Sequence, residues 1–170
     1  VLDDAERLVP VARGDVYLPL LQGKVLANMF FENSTRTRMS FETAMKRLGG
    51  SVLNFTSIGT SVAKGETLYD TMQMIDGYAD VAAIRHPRQG AAQYSADAVG
   101  IPILNAGDGA GNHPTQTMLD LFTIRQAHGT LEGLNVVLVG DLRYGRTAHS
   151  LSHALVRFGA KLTLVSPSTL

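Results

Sequence analysis

The chain has no cysteine among its 170 residues. That excludes a disulfide framework, a thiolate metal site and a cysteine nucleophile, and it leans toward a cytoplasmic setting. Net charge is absent too: 15 Lys and Arg stand against 15 Asp and Glu, so no global field favours a nucleic acid or an anionic membrane as partner. An anion would have to be caught locally. No apolar run reaches the roughly 18 residues a membrane helix needs, and the opening "VLDDAERLVP" lacks the basic, apolar and small-residue pattern of a signal peptide. The first residue is Val1 rather than methionine, and "VSPSTL" closes the chain just after a strand-like run. We therefore expect one or both ends to be cut. What is present, 45% hydrophobic and 18% charged residues, suits one globular domain or a domain with a fragment of another.

Apolar runs rich in β-branched residues alternate with longer amphipathic stretches, the pattern of βαβ units that build a parallel sheet. Strands are expected at "KVLANMFF" (24–31), "SVLNFT" (51–56), "DVAAIR" (80–85) and "IPILN" (101–105). Phe41, Ala44, Met45 and Leu48 recur at helical spacing before the stop Gly49-Gly50. Leu68, Met72 and Ile75 mark a second helix, "AAQYSADAV" (91–99) a third, and "PTQTMLDLFTIRQAHG" (114–129) a fourth with Pro114 at its start. After "GTLEGL" the pattern restarts with a strand (135–141), a helix (146–159) and a strand (161–167). A boundary near 129–134 follows, dividing the chain into residues 1–130 and 131–170. One βαβ unit cannot bury its own apolar surface, so the second part needs more chain or a partner.

The stretch "FFENSTRTRMSFETAMKRLGG" (30–50) starts as a strand, turns abruptly into hydroxyls and arginines, and settles into a helix. A strand feeding a helix start is a geometry for binding an anion, because unpaired backbone N–H groups and the positive end of the helix dipole converge there. Ser34, Thr35 and Thr37 add short donors, and Arg36 offers a planar fork that matches phosphate oxygens. The plainer alternative makes Ser34 a helix cap and the arginines solvated surface. Capping alone does not explain two further hydroxyls and an arginine packed beside it.

"FFENSTRT" resembles the carbamoyl-phosphate signature of the aspartate and ornithine carbamoyltransferases at every fixed position. The similarity runs on through "KGETLYDT" (64–71), "RHP" (85–87), "NAGDGAGNHPTQ" (105–116) and "VGDLRYGRTAHSL" (139–151). "GDLRYGRT" and "KGET" look like the aspartate branch of the family. The resemblance implies a parallel-sheet, three-layer α/β domain that binds carbamoyl phosphate, followed by the first βαβ of a second, Rossmann-like α/β domain that binds aspartate. It also implies a cytoplasmic transferase of pyrimidine biosynthesis that carbamoylates the amine of L-aspartate, needing no cofactor and no metal. Family chains run on past residue 170 into an aspartate loop and a Pro-Leu turn, and the N-terminus here falls inside the family's first helix.

Such a reaction brings a phosphate dianion, a carbonyl that becomes an oxyanion, an amide nitrogen and two aspartate carboxylates. Clustered cations, a donor at the carbonyl and an amide-type acceptor are needed. A protein nucleophile is not, because phosphate leaves readily and can take the amine proton. By resemblance, Ser34, Thr35, Arg36 and Thr37 hold the phosphate, with Thr37 near the carbonyl oxygen. Arg85 bridges phosphate and carbonyl from a strand's carboxyl end, His113 donates to the carbonyl oxygen, and Gln116 accepts from the carbamoyl NH₂. Arg146 pairs with an aspartate carboxylate. The catalytic group is then Arg36, Thr37, Arg85 and His113. Each has a bland alternative: a strand-end arginine in water, a loop histidine before a proline, or an uninformative glutamine. Arg146 could be taken for part of a dinucleotide loop, but "GDLRYGRT" lacks G-x-G-x-x-G and its bulky residues would block a pyrophosphate.

"TSVAKGET" (60–67) reads as a flexible loop. In the family a serine and a lysine from it reach the neighbouring subunit's site in a trimer; Ser61 and Lys64 match, while Ala63 stands where many members carry a second lysine. For Lys64 an exposed loop cation is the plain alternative. His149 and His153 are spaced i, i+4, but no glutamate completes an "HExxH" arrangement, so neither they nor His128 is expected to hold a metal. Two rivals stay open: a carbamoyl-phosphate or phosphate-binding module without turnover, and an ornithine carbamoyltransferase. A regulatory chain or fused pyrimidine enzymes cannot be read from this stretch.

Overall fold

In the computed structural model, which describes residues 1–56 and 65–169, the apolar runs pair where parallel βαβ units require. Val25–Phe30 (β1), Ser51–Thr56 (β2), Val81–His86 (β3) and Ile103–Asp108 (β4) form a four-stranded parallel sheet in the order β2-β1-β3-β4. The central strands β1 and β3 are buried on both faces, which is why they read as nearly continuous apolar runs, whereas the edge strand β2 is largely exposed. Beyond the expected end of β4, the strand continues through "AGD" to Asp108, whose pairing with His86 follows a register shift that places an extra residue in β4. Asp108 suggests a loop by propensity, and its pairing with His86 overrides that preference.

Helices cover both faces of this sheet. Thr35–Arg47 (α3) lays Phe41 and Met45 on one face, against Leu26 and Ala83. Leu68–Asp76 (α4) and Ala91–Ala98 (α5) cover the other, where Met72, Ile75 and Ala92 pack on Ala27, Met29, Ala82 and Ile84. Thr67 caps α4 by accepting from the Asp70 N–H. Two short helices absent from the periodicity reading, Leu2–Arg7 (α1) and Val9–Arg13 (α2), precede β1. Arg125 holds α1 in place through Asp3, Glu6 and the Leu2 carbonyl. This fastening comes from a residue more than a hundred positions away, outside the reach of local spacing.

Arg125 lies in Pro114–His128 (α6), which leads to a separate two-stranded parallel sheet, Asn135–Val139 (β5) and Lys161–Val165 (β6), joined through Arg146–Arg157 (α7). Leu121, Leu131 and Leu155 form the small core between α6 and this unit. Among the described residues, no helix is long and apolar enough to cross a membrane.

Candidate active site

The chain passes from β1 to β2 on one side of β1 and then to β3 on the other, so the sheet's topological switch point lies between β1 and β3. Ligands in open α/β sheets settle outside the carboxyl ends of the strands at that point. Here the carboxyl ends carry Phe30, which opens into "ENSTRT", and Arg85, its register partner. The Phe31 N–H donates to the Arg85 carbonyl at 2.9 Å and ties the two ends together.

Ser34 occupies the N-cap position of α3 in extended backbone, yet its hydroxyl makes no capping bond. Among the described residues, the N–H groups of Thr35, Arg36 and Thr37 open the helix without backbone partners. No acidic residue lies in the first turn; Arg36 and Arg38 lie there instead, against the preference of the helix dipole. A helix start that refuses its cap and adds cations has been left open for an external anion. Ser34 and Thr35, with Glu32, Asn33 and Arg38, line a cavity of about 340 Å³. Thr37 faces another of about 260 Å³, which it shares with Ser40, His113, Thr115 and Gln116. Arg36 is exposed and has no ion pair among the described residues.

Arg85 is buried, with 8% of its surface exposed. It donates to Glu32 Oε1 at 2.9 Å and, at 3.4 Å, to the Ala106 carbonyl; among the described residues its Nε has no partner. Arg146, the first residue of α7, reaches the same carboxylate at 3.2 Å and the Gly109 carbonyl at 2.9 Å. Both guanidinium groups crowd Gly107, where a Cβ would stand 3.4 Å from Arg85 Nη1 and 3.5 Å from Arg146 Cζ, at a φ of +121°. Burial raises the Glu32 pKa, but the hydrogen bonds from Arg146 and Arg85 and their charges outweigh it, so the carboxyl titrates below its ordinary range. Glu32 thus stands as an ionised group between two cations. The sequence reading assigns it no role, although a lone carboxylate inside a run of cations and hydroxyls was a visible signal.

His113 is the buried N-cap residue of α6, ahead of Pro114. Burial first, then the charges of Arg85 and Arg146, pushes its pKa below 6.5 and keeps the ring neutral near pH 7. A neutral imidazole has one N–H to donate and one nitrogen to accept; Thr115 Oγ1 lies 3.4 Å from Nδ1. Gln116 directs its amide N–H to Asp120 at 2.9 Å, which leaves its carbonyl oxygen as an acceptor. The loops are held by Asp108, whose buried carboxylate accepts from the N–H groups of Gly90 and Asn112.

Thr37, His113 and Gln116 therefore share one cavity, and Arg85 and Arg146 share one carboxylate. Ser34 and Thr35 face the other side of the turn. Ser61 and Lys64 lie outside the described residues. Both ring nitrogens of His149 approach backbone carbonyls, those of Ala110 and Leu142. Among the described residues no group of three His, Asp or Glu side chains could hold a metal.

Residues 1–126 match the family model described as aspartate/ornithine carbamoyltransferase, carbamoyl-P binding domain. The chain is 55% identical over 171 residues to the aspartate carbamoyltransferase catalytic subunit of Archaeoglobus fulgidus, covering all of this chain and 57% of that protein. To the corresponding subunit of Methanococcoides burtonii it is 57% identical, covering 55% of that protein. Among solved structures, Trypanosoma cruzi aspartate transcarbamoylase in complex with carbamoyl aspartate and phosphate superposes with a TM-score of 0.95 at 47% identity, over 99% of this chain and 55% of that one. The catalytic subunit of M. jannaschii aspartate transcarbamoylase gives a TM-score of 0.91 at 51% identity, over 99% of this chain and 56% of that one. The chain spans about half the length of the curated relatives it matches.

Proposed function

The chain belongs to the aspartate/ornithine carbamoyltransferase family, and we propose that residues 1–130 bind carbamoyl phosphate while residues 131–170 begin the part that binds aspartate. The reaction is transfer of the carbamoyl group to the amine of L-aspartate, giving N-carbamoyl-L-aspartate and phosphate in cytoplasmic pyrimidine synthesis. One observation carries the reading: a buried arginine whose Nε has no partner among the described residues sits at the switch point, and the helix that follows the adjacent strand starts without its side-chain cap. The relatives named aspartate carbamoyltransferase, and the solved relative holding carbamoyl aspartate and phosphate, support the choice of substrates.

Ser34, Thr35, Arg36 and Thr37 hold the phosphate through hydroxyls, backbone N–H groups and one guanidinium. Arg85 turns toward phosphate and carbonyl oxygen, and His113 donates to that oxygen as the amine attacks and negative charge builds on it. Gln116 orients the carbamoyl NH₂. The C–N bond forms, the C–O bond to phosphate breaks, and the departing phosphate takes the amine proton. Arg146, already paired with a carboxylate, is suited to one of aspartate's.

His113→Ala, made in an active parent enzyme, should lower the rate roughly 10²–10³-fold with a smaller loss in carbamoyl-phosphate affinity. Equal losses in both would reassign the histidine to ground-state positioning. Running that assay with aspartate and ornithine side by side separates the two branches of the family, and product from ornithine alone would reject the aspartate reading. Ser61 and Lys64 are proposed to complete a neighbour's site in a homotrimer. Mixing Lys64→Ala with Arg36→Ala chains should restore part of the lost activity, and hybrids that stay inactive would remove the shared site.

A further inference from the structure

β1 is apolar through its buried length except at Asn28, whose side chain is fully buried. By strand alternation it lies with Leu26 on the face covered by α3. Its Nδ2 donates to the Arg38 carbonyl at 3.0 Å and to Asn54 Oδ1, its register partner on β2, at 3.1 Å. Asn54 Nδ2 donates in turn to Glu42 Oε2 at 3.0 Å, and Lys46 donates to Glu42 Oε1 at 2.6 Å.

The polarity of this chain is set from its outer end. Hydrogen bonds from Lys46 and Asn54 hold the Glu42 carboxyl below its ordinary range, so it is ionised and only accepts. Asn54 must therefore give it the NH₂ and turn its oxygen toward Asn28. Asn28 then faces two acceptors and must give both its N–H bonds to them. Among the described residues its own Oδ1 is left without a partner. An unsatisfied buried acceptor is a standing penalty that an apolar residue of similar size would avoid. The arrangement accepts it and gains one thing: a donor placed on the Arg38 carbonyl.

The geometry points to Asn28 as a positioning residue for the anion-binding end of α3, acting through the helix backbone. The Arg38 carbonyl shares its peptide with the Met39 N–H, which in a regular α-helix donates to the Thr35 carbonyl. The peptide of Thr35 carries the Arg36 N–H, one of the three unpaired donors of the cradle. Asn28 thus feeds one row of head-to-tail peptides that ends at the anion, and each hydrogen bond in such a row polarises the next. The same bond pins the first turn of α3 to β1, the strand that opens into Ser34. The inference rests on the phosphate cradle proposed above.

The test compares the unmodified chain with Asn28→Leu, which fills the space without donors, and with Asn54→Ala, an exposed change that breaks only the outer half of the relay. Inorganic phosphate binding is read by calorimetry, stability by thermal unfolding, and the first turn by amide exchange at Arg38, whose N–H donates to the Ser34 carbonyl, and at Met39. Asn28→Leu should weaken phosphate binding about 3–10-fold while the melting temperature holds or rises, and amides of the first turn should exchange faster than those of β1. Asn54→Ala should shift both readouts the same way by about 2-fold. Unchanged exchange and unchanged phosphate affinity in Asn28→Leu would overturn the inference, as would affinity that falls only in step with stability. If the unmodified chain binds no phosphate, the cradle reading falls and takes the anion-binding part of the inference with it; exchange alone then decides whether Asn28 holds the first turn of α3, acceleration confined to that turn upholding this and none overturning it.

Discussion

β1 and β5 begin alike, as short apolar strands running into a polar turn and then a helix whose first turn carries an arginine. They end in different circumstances. β1 is buried almost throughout, between α3 on one face and α4 with α5 on the other. β5 and its partner β6 leave Val137 57%, Val139 73% and Leu164 58% exposed. The turn after β1 presents hydroxyls and unpaired N–H groups, while the turn after β5 sends Arg146 back to Glu32 of the first unit. The same local grammar thus builds a cradle in one place and supplies a single side chain to it from the other. Burial and role depend on the surrounding elements and on the strand ends that meet.

The sharpest way to break the comparison is to cut a side chain of equal standing in each region. Met72→Ala, fully buried against β1 and β3, should lose about 2–5 kcal/mol in denaturant unfolding, whereas Val137→Ala on β5 should stay within about 0.5 kcal/mol. Comparable losses would mean that β5 is as well packed as β1. A middle-sized effect is expected where the two regions touch. Glu32→Gln removes the charge that both Arg85 and Arg146 share and should cost about 2 kcal/mol, below the roughly 3–5 kcal/mol of a fully buried pair because the carboxylate is partly exposed. A variant as stable as the parent would show that the carboxylate does not join the units.

The smallest effect is in pH. His113 titrates below 6.5 when folded, so the unfolded chain binds more protons just below that value. Its contribution is fully present above 6.5 and is lost as pH falls through the folded value. Burial lowers His86 as well, in the same direction. His113→Gln should therefore flatten part of the fall in melting temperature between neutrality and about pH 5, and an unaltered slope would assign the whole fall to other groups.

Much of the fold was legible. Among the described residues, six strands and the five longer helices fall where periodicity and punctuation place them, because their apolar spacing is a local property. β4 ran three residues past its expected end, since pairing with His86 of β3 rather than propensity holds Asp108. Periodicity did not show the helices α1 and α2 because they are too short to carry a period, though the resemblance put the N-terminus inside a helix; Arg125 fastens the first of them from far along the chain. At the site, "STRT" was readable from residue types alone, but the place of Glu32 between Arg85 and Arg146 was not.

By itself the sequence determined the alternation of strands and helices, the cationic, hydroxyl-rich start of α3 and the family to which these motifs point. Each is written within a few consecutive residues, where backbone geometry and spacing act directly. The tertiary structure alone decided that Phe30 stands opposite Arg85, that Arg146 arrives from a second sheet, and that Asn28 backs the first turn of α3. These are encounters between distant segments. Their free energy is spread over strand pairing and packing on both faces of the sheet, so no spacing along the chain announces them.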